Sequence, residues 1–188
     1  MKKLVLLLVT LLVTMMSCVA FAAEKPNVAV IYVNHAETKF DADLDAYMLD
    51  ELHKIVPASY YNYVDGSGLV YKLQKNGVED ISNAERSDII DALEGEKVDY
   101  VLYCEIQPFV RKEKVHVFNY GIEMTTQAPV KLIDVKANKY LYNGKVVAKG
   151  EDSTVIGGLG NKGSAMRALK KVTSEIKSVV TARLPLAK

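Results

Sequence analysis

The spacing of hydrophobic positions changes part-way along the chain. Val28 to Val33 is an unbroken apolar run rich in β-branched residues, bounded by Pro26-Asn27 and Asn34-His35. Such a run predicts a strand buried on both faces. Phe40, Leu44, Tyr47, Met48, Leu52 and Ile55 then recur every three or four positions, forming one stripe of a helix that Pro57 ends. Ser59 to Val64 predicts a tyrosine-rich second strand, stopped by Asp65-Gly66-Ser67-Gly68. A short helix is expected from Leu69 to Asn76, closed by Gly77. Ser82-Asn83-Ala84-Glu85 has the capping-box spacing and predicts a helix burying Ile89, Ile90 and Leu93.

After Gly95 the period becomes two. Val98, Tyr100, Leu102, Cys104 and Ile106 alternate with Asp99, Glu105 and Gln107, so a long strand with one polar face is expected, its far end at an edge or bulge beside Pro108. Arg111-Lys112-Glu113-Lys114 reads as a charged hairpin tip. Strands follow over Val115 to Met124 and Val130 to Val135, and a strand or a hairpin over Tyr140 to about Glu151. Leu169, Val172, Ile176 and Val179 then mark one face of a helix from Ser164 to Val180. The order β-α-β-α-α, then three or four meandering strands, then α, predicts an α/β (mixed α+β) fold. Its mixed sheet carries helices in two or three layers. Without a linker, repeat or low-complexity tract, residues 23–188 read as a single domain.

The residues ahead of Val28 carry no fold signal of this kind. Met1-Lys2-Lys3, the apolar stretch Leu4 to Met16 and Ala20-Phe21-Ala22 match a signal peptide over 1–22. An exported, periplasmic or extracellular protein is therefore expected. A membrane anchor is the competing reading, since the apolar stretch reaches Ala23. A third is a lipoprotein cut before Cys18, where Ser17 fits and Met15 and Met16 fit poorly. Membrane contact is expected only if Cys18 is lipidated.

Charge narrows the partners. The 188 residues hold 24 Lys and Arg against 23 Asp and Glu. Lys2 and Lys3 fall in the leader, so the remainder is nearly neutral and no nucleic-acid partner is expected. Cys104 is the one cysteine left after the leader, which excludes an internal disulfide. Its place between Leu102 and Ile106 predicts a buried, inert thiol.

Motifs with catalytic meaning are scarce. Gly158-Leu159-Gly160-Asn161-Lys162-Gly163 matches G-x-G-x-x-G ahead of a helix. A dinucleotide site needs a further strand and an acid downstream, and here the chain ends with the helix, so a strand-to-helix connection is expected. Asp41, Asp43 and Asp45 resemble the start of a calcium loop, but Ala46 and Leu52 stand where Gly and Glu belong. Those acids are expected to stabilise a helix start. His35, His53 and His116 are scattered and are read as surface or loop residues. Neither catalytic residues nor a cofactor or metal is expected. Of the 11 tyrosines, Tyr60, Tyr61 and Tyr63 cluster and suit either a half-buried strand or an interface.

The element order, the strand Val28–Val33, the helical stripe from Phe40, Val98-Asp-Tyr-Val-Leu-Tyr-Cys-Glu-Ile106 and Val130-Lys-Leu-Ile-Asp-Val135 resemble a group of envelope domains. The group includes the curli-secretion lipoprotein, the lipoprotein activators of penicillin-binding proteins and the amino-terminal domain of TolB. The chain departs from it at the poor lipobox around Cys18 and in having no room for pore-forming insertions. The resemblance implies a non-enzymatic assembly or regulatory module that binds another envelope protein. Arg111, Lys112, Lys114, Gly158, Gly160 and Asn161 are the candidate contact surface. A small-ligand carrier walled by the glycine loop, or a secreted enzyme whose site assembles from distant residues, are the alternatives.

Overall fold

The computed structural model describes residues 24–116, 119–154 and 160–186. The leader, Cys18 and Gly158 lie outside them. The described elements are β1 (Asn27–Asn34), α1 (Asp41–Ile55), β2 (Asn62–Asp65), α2 (Ser67–Lys75), α3 (Arg86–Ala92), β3 (Tyr100–Ile106), β4 (Val110–His116), β5 (Asn119–Asp134), β6 (Lys139–Thr154) and α4 (Asn161–Arg183). The expected α/β order holds. The six strands form one mixed sheet, open rather than closed into a barrel. β1 pairs in parallel with β2 and β3, and β5 pairs antiparallel with β3, β4 and β6. Because β6 takes one side of β5 over its whole length, β3 and β4 lie end to end along the other side.

Two apolar clusters flank the sheet and make three layers. On one face Leu44, Met48 and Leu52 of α1 and Leu169, Val172 and Ile176 of α4 pack on Val28, Val30, Leu102, Cys104, Val130 and Leu132. Burial of each large side chain there contributes about 1.5–3 kcal/mol. On the other face Leu69 and Leu73 of α2 and Ile89 of α3 cover Ala29, Ile31, Val101, Tyr103 and Ile133. The central strands β1 and β3 are thus apolar on both sides, whereas α1 and α4 each need one apolar stripe.

Several boundaries move, each for a physical reason. Tyr60 and Tyr61 donate their N–H groups to the Pro57 carbonyl, so a turn delays β2 to Asn62. The Ser82–Glu85 capping box does not form. Ser82 bonds to Asp80, and α3 starts at Arg86 behind Glu85 without a side-chain cap. The predicted strands around Val115–Met124 and Val130–Val135 divide differently. Val115 belongs to β4, and the rest joins into the 16-residue β5. Pro129 is tolerated inside β5 because the β3–β5 ladder stops at Cys104↔Val130, where a missing N–H costs no further pairing. Arg111–Lys114 is consequently not a hairpin tip but the middle of β4. The polar face expected on β3 is not solvated either, since Glu105 is only 6% exposed.

α4 lies unusually close to β6. A Cβ built on Gly150 would come within 1.9 Å of the Ser164 carbonyl oxygen and 2.5 Å of the Ala168 nitrogen. Ser164, Ala165 and Ala168 are fully buried along this contact, a run of small residues that lets helix backbone meet strand backbone. Gly150→Ala is expected to cost about 3 kcal/mol, the upper end of overpacking penalties, and to lower Tm by roughly 6–12 °C. Thermal melts followed by circular dichroism check this, and an unchanged Tm would show that α4 does not pack so tightly.

Cys104 is fully buried, and burial pushes its thiol up to about 12, with Glu105 adding to the effect. A thiol reagent should label it only at the rate of global unfolding. Labelling of native protein as fast as denatured protein would contradict the packing.

Candidate functional site

The residues singled out by sequence fall on two sides of the sheet. Alternation along β5 from Lys131 puts Gln127, Thr125, Glu123 and Gly121 on the α2/α3 face, together with Val147, Lys149 and Glu151 of β6 and Val110, Lys112 and Lys114 of β4. The α2/α3 cluster ends at Ile133 and Tyr140, so this far part of the face has no helix over it. Lys114 bridges Glu123 at 2.8 Å and Glu151 at 2.7 Å, and Lys149 stands 3.5 Å from Glu123. The Lys114 ammonium holds the Glu123 carboxyl far below the usual carboxylate range. Arg111 points to the opposite face, where it pairs with Glu113 and donates to the Tyr120 hydroxyl.

Gly160 and Asn161 begin α4 on that opposite face, Gly160 in the N-cap position without a side-chain cap bond. The next residue, Lys162, pairs with Asp43 of α1 at 2.6 Å. Lys112 and Lys114 therefore do not share a surface with Arg111, Gly160 and Asn161. Lys114 does meet α4 at the sheet's end, where a depression of about 400 Å³ is lined by Lys114, Gly121, Asp152 and Arg167.

The aspartates of the calcium-like run serve three separate purposes. Asp41 accepts from the Thr38 N–H and hydroxyl, Asp43 pairs with Lys162, and Asp45 accepts from the Tyr32 hydroxyl and the Asn34 amide. Among the described residues no group of three His, Cys, Asp or Glu side chains is placed to hold a metal. His53 stacks on Tyr63 with ring centroids 4.0 Å apart. Tyr61 is buried, its hydroxyl 3.4 Å from the Leu184 carbonyl.

A second site carries no sequence motif. The chain leaves β1 for β2 through α1 on one face, then returns past β1 to β3 through α2 and α3 on the other. In the order β2-β1-β3 the winding reverses between β1 and β3, and a crevice opens beyond their carboxyl ends. There a cavity of about 430 Å³ is lined by Val33 at the end of β1 and His35 just after it, Gln74 of α2, Glu79 to Asn83 of the connection, and Tyr103, Glu105 and Gln107. The Tyr103 hydroxyl donates to the Glu105 carboxylate, and burial together with this carboxylate pushes the phenol far above its ordinary value. Gln107 donates to the other carboxylate oxygen at 3.4 Å. Beside this group Lys131, only 3% exposed, sends its ammonium to the carbonyls of Ile81 at 2.8 Å and Ala84 at 2.7 Å. Lys131 thereby clamps the α2–α3 connection over the cavity. The one legible signal is a lysine inside the apolar stretch Val130 to Val135.

No protein-family model matches this chain and no curated protein matches it. Solved structures do. The hypothetical protein CT253 of Chlamydia trachomatis is 15% identical, with 84% of this chain and 99% of that one covered and a TM-score of 0.48. Lipoprotein GNA1162 of Neisseria meningitidis is 13% identical over 80% and 99%, with a TM-score of 0.42. The LpoB C-terminal domain of Salmonella enterica is 17% identical over 71% and 89%, with a TM-score of 0.35. No helix among the described residues is long and apolar enough to cross a membrane.

Lys131→Met removes the donors for two carbonyls, each worth about 1–3 kcal/mol when left unpaired. Amide exchange in residues 78–85 is expected to speed up more than in β3. Equal protection in both proteins would free Lys131 of the clamping role. Burial pushes the Lys131 ammonium below its ordinary value, so the folded chain binds this proton less firmly than the unfolded one. Its contribution to stability therefore rises with pH up to the unfolded value of about 10.4. The stability difference between wild type and Lys131→Met should widen from neutral pH toward that value. A difference that narrows would reverse the assignment.

Proposed function

We propose that this is an exported, non-enzymatic protein of the cell envelope that binds another envelope protein through the bare face of β4, β5 and β6. The observation that carries this reading is an unhelixed sheet face with exposed apolar residues. Val110 and Val147 on it are 69% and 58% exposed, and Val115 on the other side of β4 is 75% exposed. Isolated exposed valines need no explanation, but Val110 and Val147 stand on the two strands that flank β5 and share one open face with it, as the apolar part of a contact surface would.

The polar groups suit a protein better than a small substrate. Lys112 and Lys145 stand outside the Lys114–Glu123–Glu151–Lys149 ion pairs, so a partner bringing carboxylates would complete the pattern. The contact surface keeps Lys112 and Lys114 and adds Val110 and Val147, while Arg111 faces the other side of β4 and falls outside it. Gly160 and Asn161 would join only as a second contact on the far side, and Gly158 lies outside the described residues. The lining of the described depressions is mixed and polar, without the enclosed apolar cavity a lipophilic carrier requires.

A photo-crosslinking residue in place of Val147, compared with one in place of exposed Tyr71 on α2, tests the reading in the protein's own cells. The expected outcome is a discrete adduct with one envelope protein from position 147 and none from position 71. Adducts of equal yield at both positions, or none at 147, would sink the proposal.

A further inference from the structure

We infer that the partner docks by adding an extended, acidic segment as a further strand along the free edge of β6, between Asn143 and Lys149. The inference rests on the partner-binding reading above and names its mode of contact.

The register fixes which backbone groups of β6 point outward. Gln107, just past β3, donates its N–H to the Gln127 carbonyl at 3.0 Å. Gln127 thus turns its backbone groups toward the β3 side of β5 and away from β6. Its partner in the β5–β6 ladder, Val147, therefore turns its own N–H and carbonyl away from β5, toward the open edge. Alternation extends this to Asn143, Lys145, Lys149, Glu151 and Ser153. Side-chain caps agree. Arg167 of α4 donates to the Glu151 carbonyl at 2.6 Å, and the Asp152 carboxylate accepts from the Ser153 N–H at 3.0 Å. Toward the other end Arg183 donates to the Leu141 carbonyl at 2.7 Å. Among the described residues nothing pairs with the outward groups of Asn143, Lys145, Val147 and Lys149. The edge is capped near both ends and left unpaired for about 20 Å between them. Such a row of donors and acceptors is a template for one more strand.

Side chains select the kind of strand. On the bare face the open run presents Lys145, the exposed Val147 and Lys149, while Val146 and Ala148 are buried on the α4 side. An added strand sets its side chains about 5 Å from these. Carboxylates beside Lys145 and Lys149, flanking an apolar residue beside Val147, would match them. Both charges are available: Lys145 has no ion pair among the described residues, and Lys149 only approaches Glu123 at 3.5 Å. A second β6 paired about Val147 would set Lys145 against Lys149, a like-charge pair, so a dissimilar acidic segment is the occupant.

The probe is the capped peptide Thr-Glu-Thr-Val-Thr-Glu-Thr, titrated into the mature protein and followed by amide NMR and hydrogen exchange. Saturable shifts and slowed exchange are expected at the outward amides of Lys145, Val147 and Lys149. Exchange at Val146 and Ala148, whose amides face β5, should change little. Only one edge of an added strand faces β6. Binding should therefore be lost with N-methyl groups on one alternate set of peptide amides and kept with them on the other. Lys145→Pro removes an outward N–H without touching the β5 ladder, so Tm should hold while peptide binding falls about tenfold or more. Lys145→Gln, which keeps the backbone, should weaken it less. No saturable shift, equal binding of the two methylated peptides, or shifts confined to face residues such as Lys112 would overturn strand addition. A concentration-dependent dimer lost in Lys145→Pro would give the edge to a second copy and overturn the acidic segment. In cells the crosslinker at Val147 separates the two readings. An adduct that survives Lys145→Pro keeps the bare face and rejects the edge, whereas no adduct without that substitution rejects the face itself.

Discussion

The β5–β6 ladder runs without interruption from Tyr120↔Thr154 to Leu132↔Tyr142, and after one irregularity ends at Asp134↔Lys139. No other pair of strands in the sheet is so long, and the parallel strands β1 and β3 reach only half as far. A hairpin of that length cannot be buried on both sides by helices that follow the short strands. α4 is 23 residues long and covers one side. It does so because Gly150 and the row Ser164, Ala165, Ala168 let it lie almost in backbone contact with β6. Through Lys162 and Thr173 it also meets α1, at Asp43 and Tyr47. One face is therefore closed along its length.

The other face lacks such a covering. α2 and α3 are short, nine and seven residues, and the connection between them needs a tie to stay on the sheet. Lys131 supplies it from near the C-terminal end of β5. An ammonium buried to this degree loses most of its hydration, and two carbonyl acceptors replace part of it. The same ammonium roofs the crevice at the ends of β1 and β3 and lies near enough to Asp80 and Glu105 for their charges to favour it. The clamp and the compensation of two carboxylates are thus two results of one placement.

Much of this architecture was legible in the sequence, and the failures have common causes. Long periodic segments were readable: β1 through its β-branched run, α1 and α4 through their stripes. The alternation of Leu102, Cys104 and Ile106 correctly placed Cys104 in the core. The same alternation misled for Glu105, because a strand with helices on both faces can bury a carboxylate if hydroxyl and amide donors come with it. The two strands expected over Val115–Met124 and Val130–Val135 are largely one, since Pro129 between them is harmless where β3 has run out. Arg111–Lys114 looked like a tip because charge runs are commonest in turns, whereas here they alternate across an edge. The crevice was invisible for a different reason. It is made by strand order, and no local spacing encodes that Val33 lies beside Tyr103 and the 79–83 connection.

The bare face raises the question of why this sheet does not simply pair with another copy. Open strands with exposed valines are an aggregation hazard, and lysines along them are the usual protection. β4 and β6 carry Lys112, Lys114, Lys145 and Lys149, and a second copy stacked on this face would set lysine against lysine. Glu123 and Glu151 soften this repulsion only locally, since both are engaged by Lys114. The pattern therefore discriminates: it disfavours self-association and accepts a surface with carboxylates facing Lys112 and Lys145. Under the proposed partner-binding reading, Val110 and Val147 supply apolar contact and Lys112 and Lys145 the uncompensated charge, a combination that suits a dissimilar protein better than a second copy.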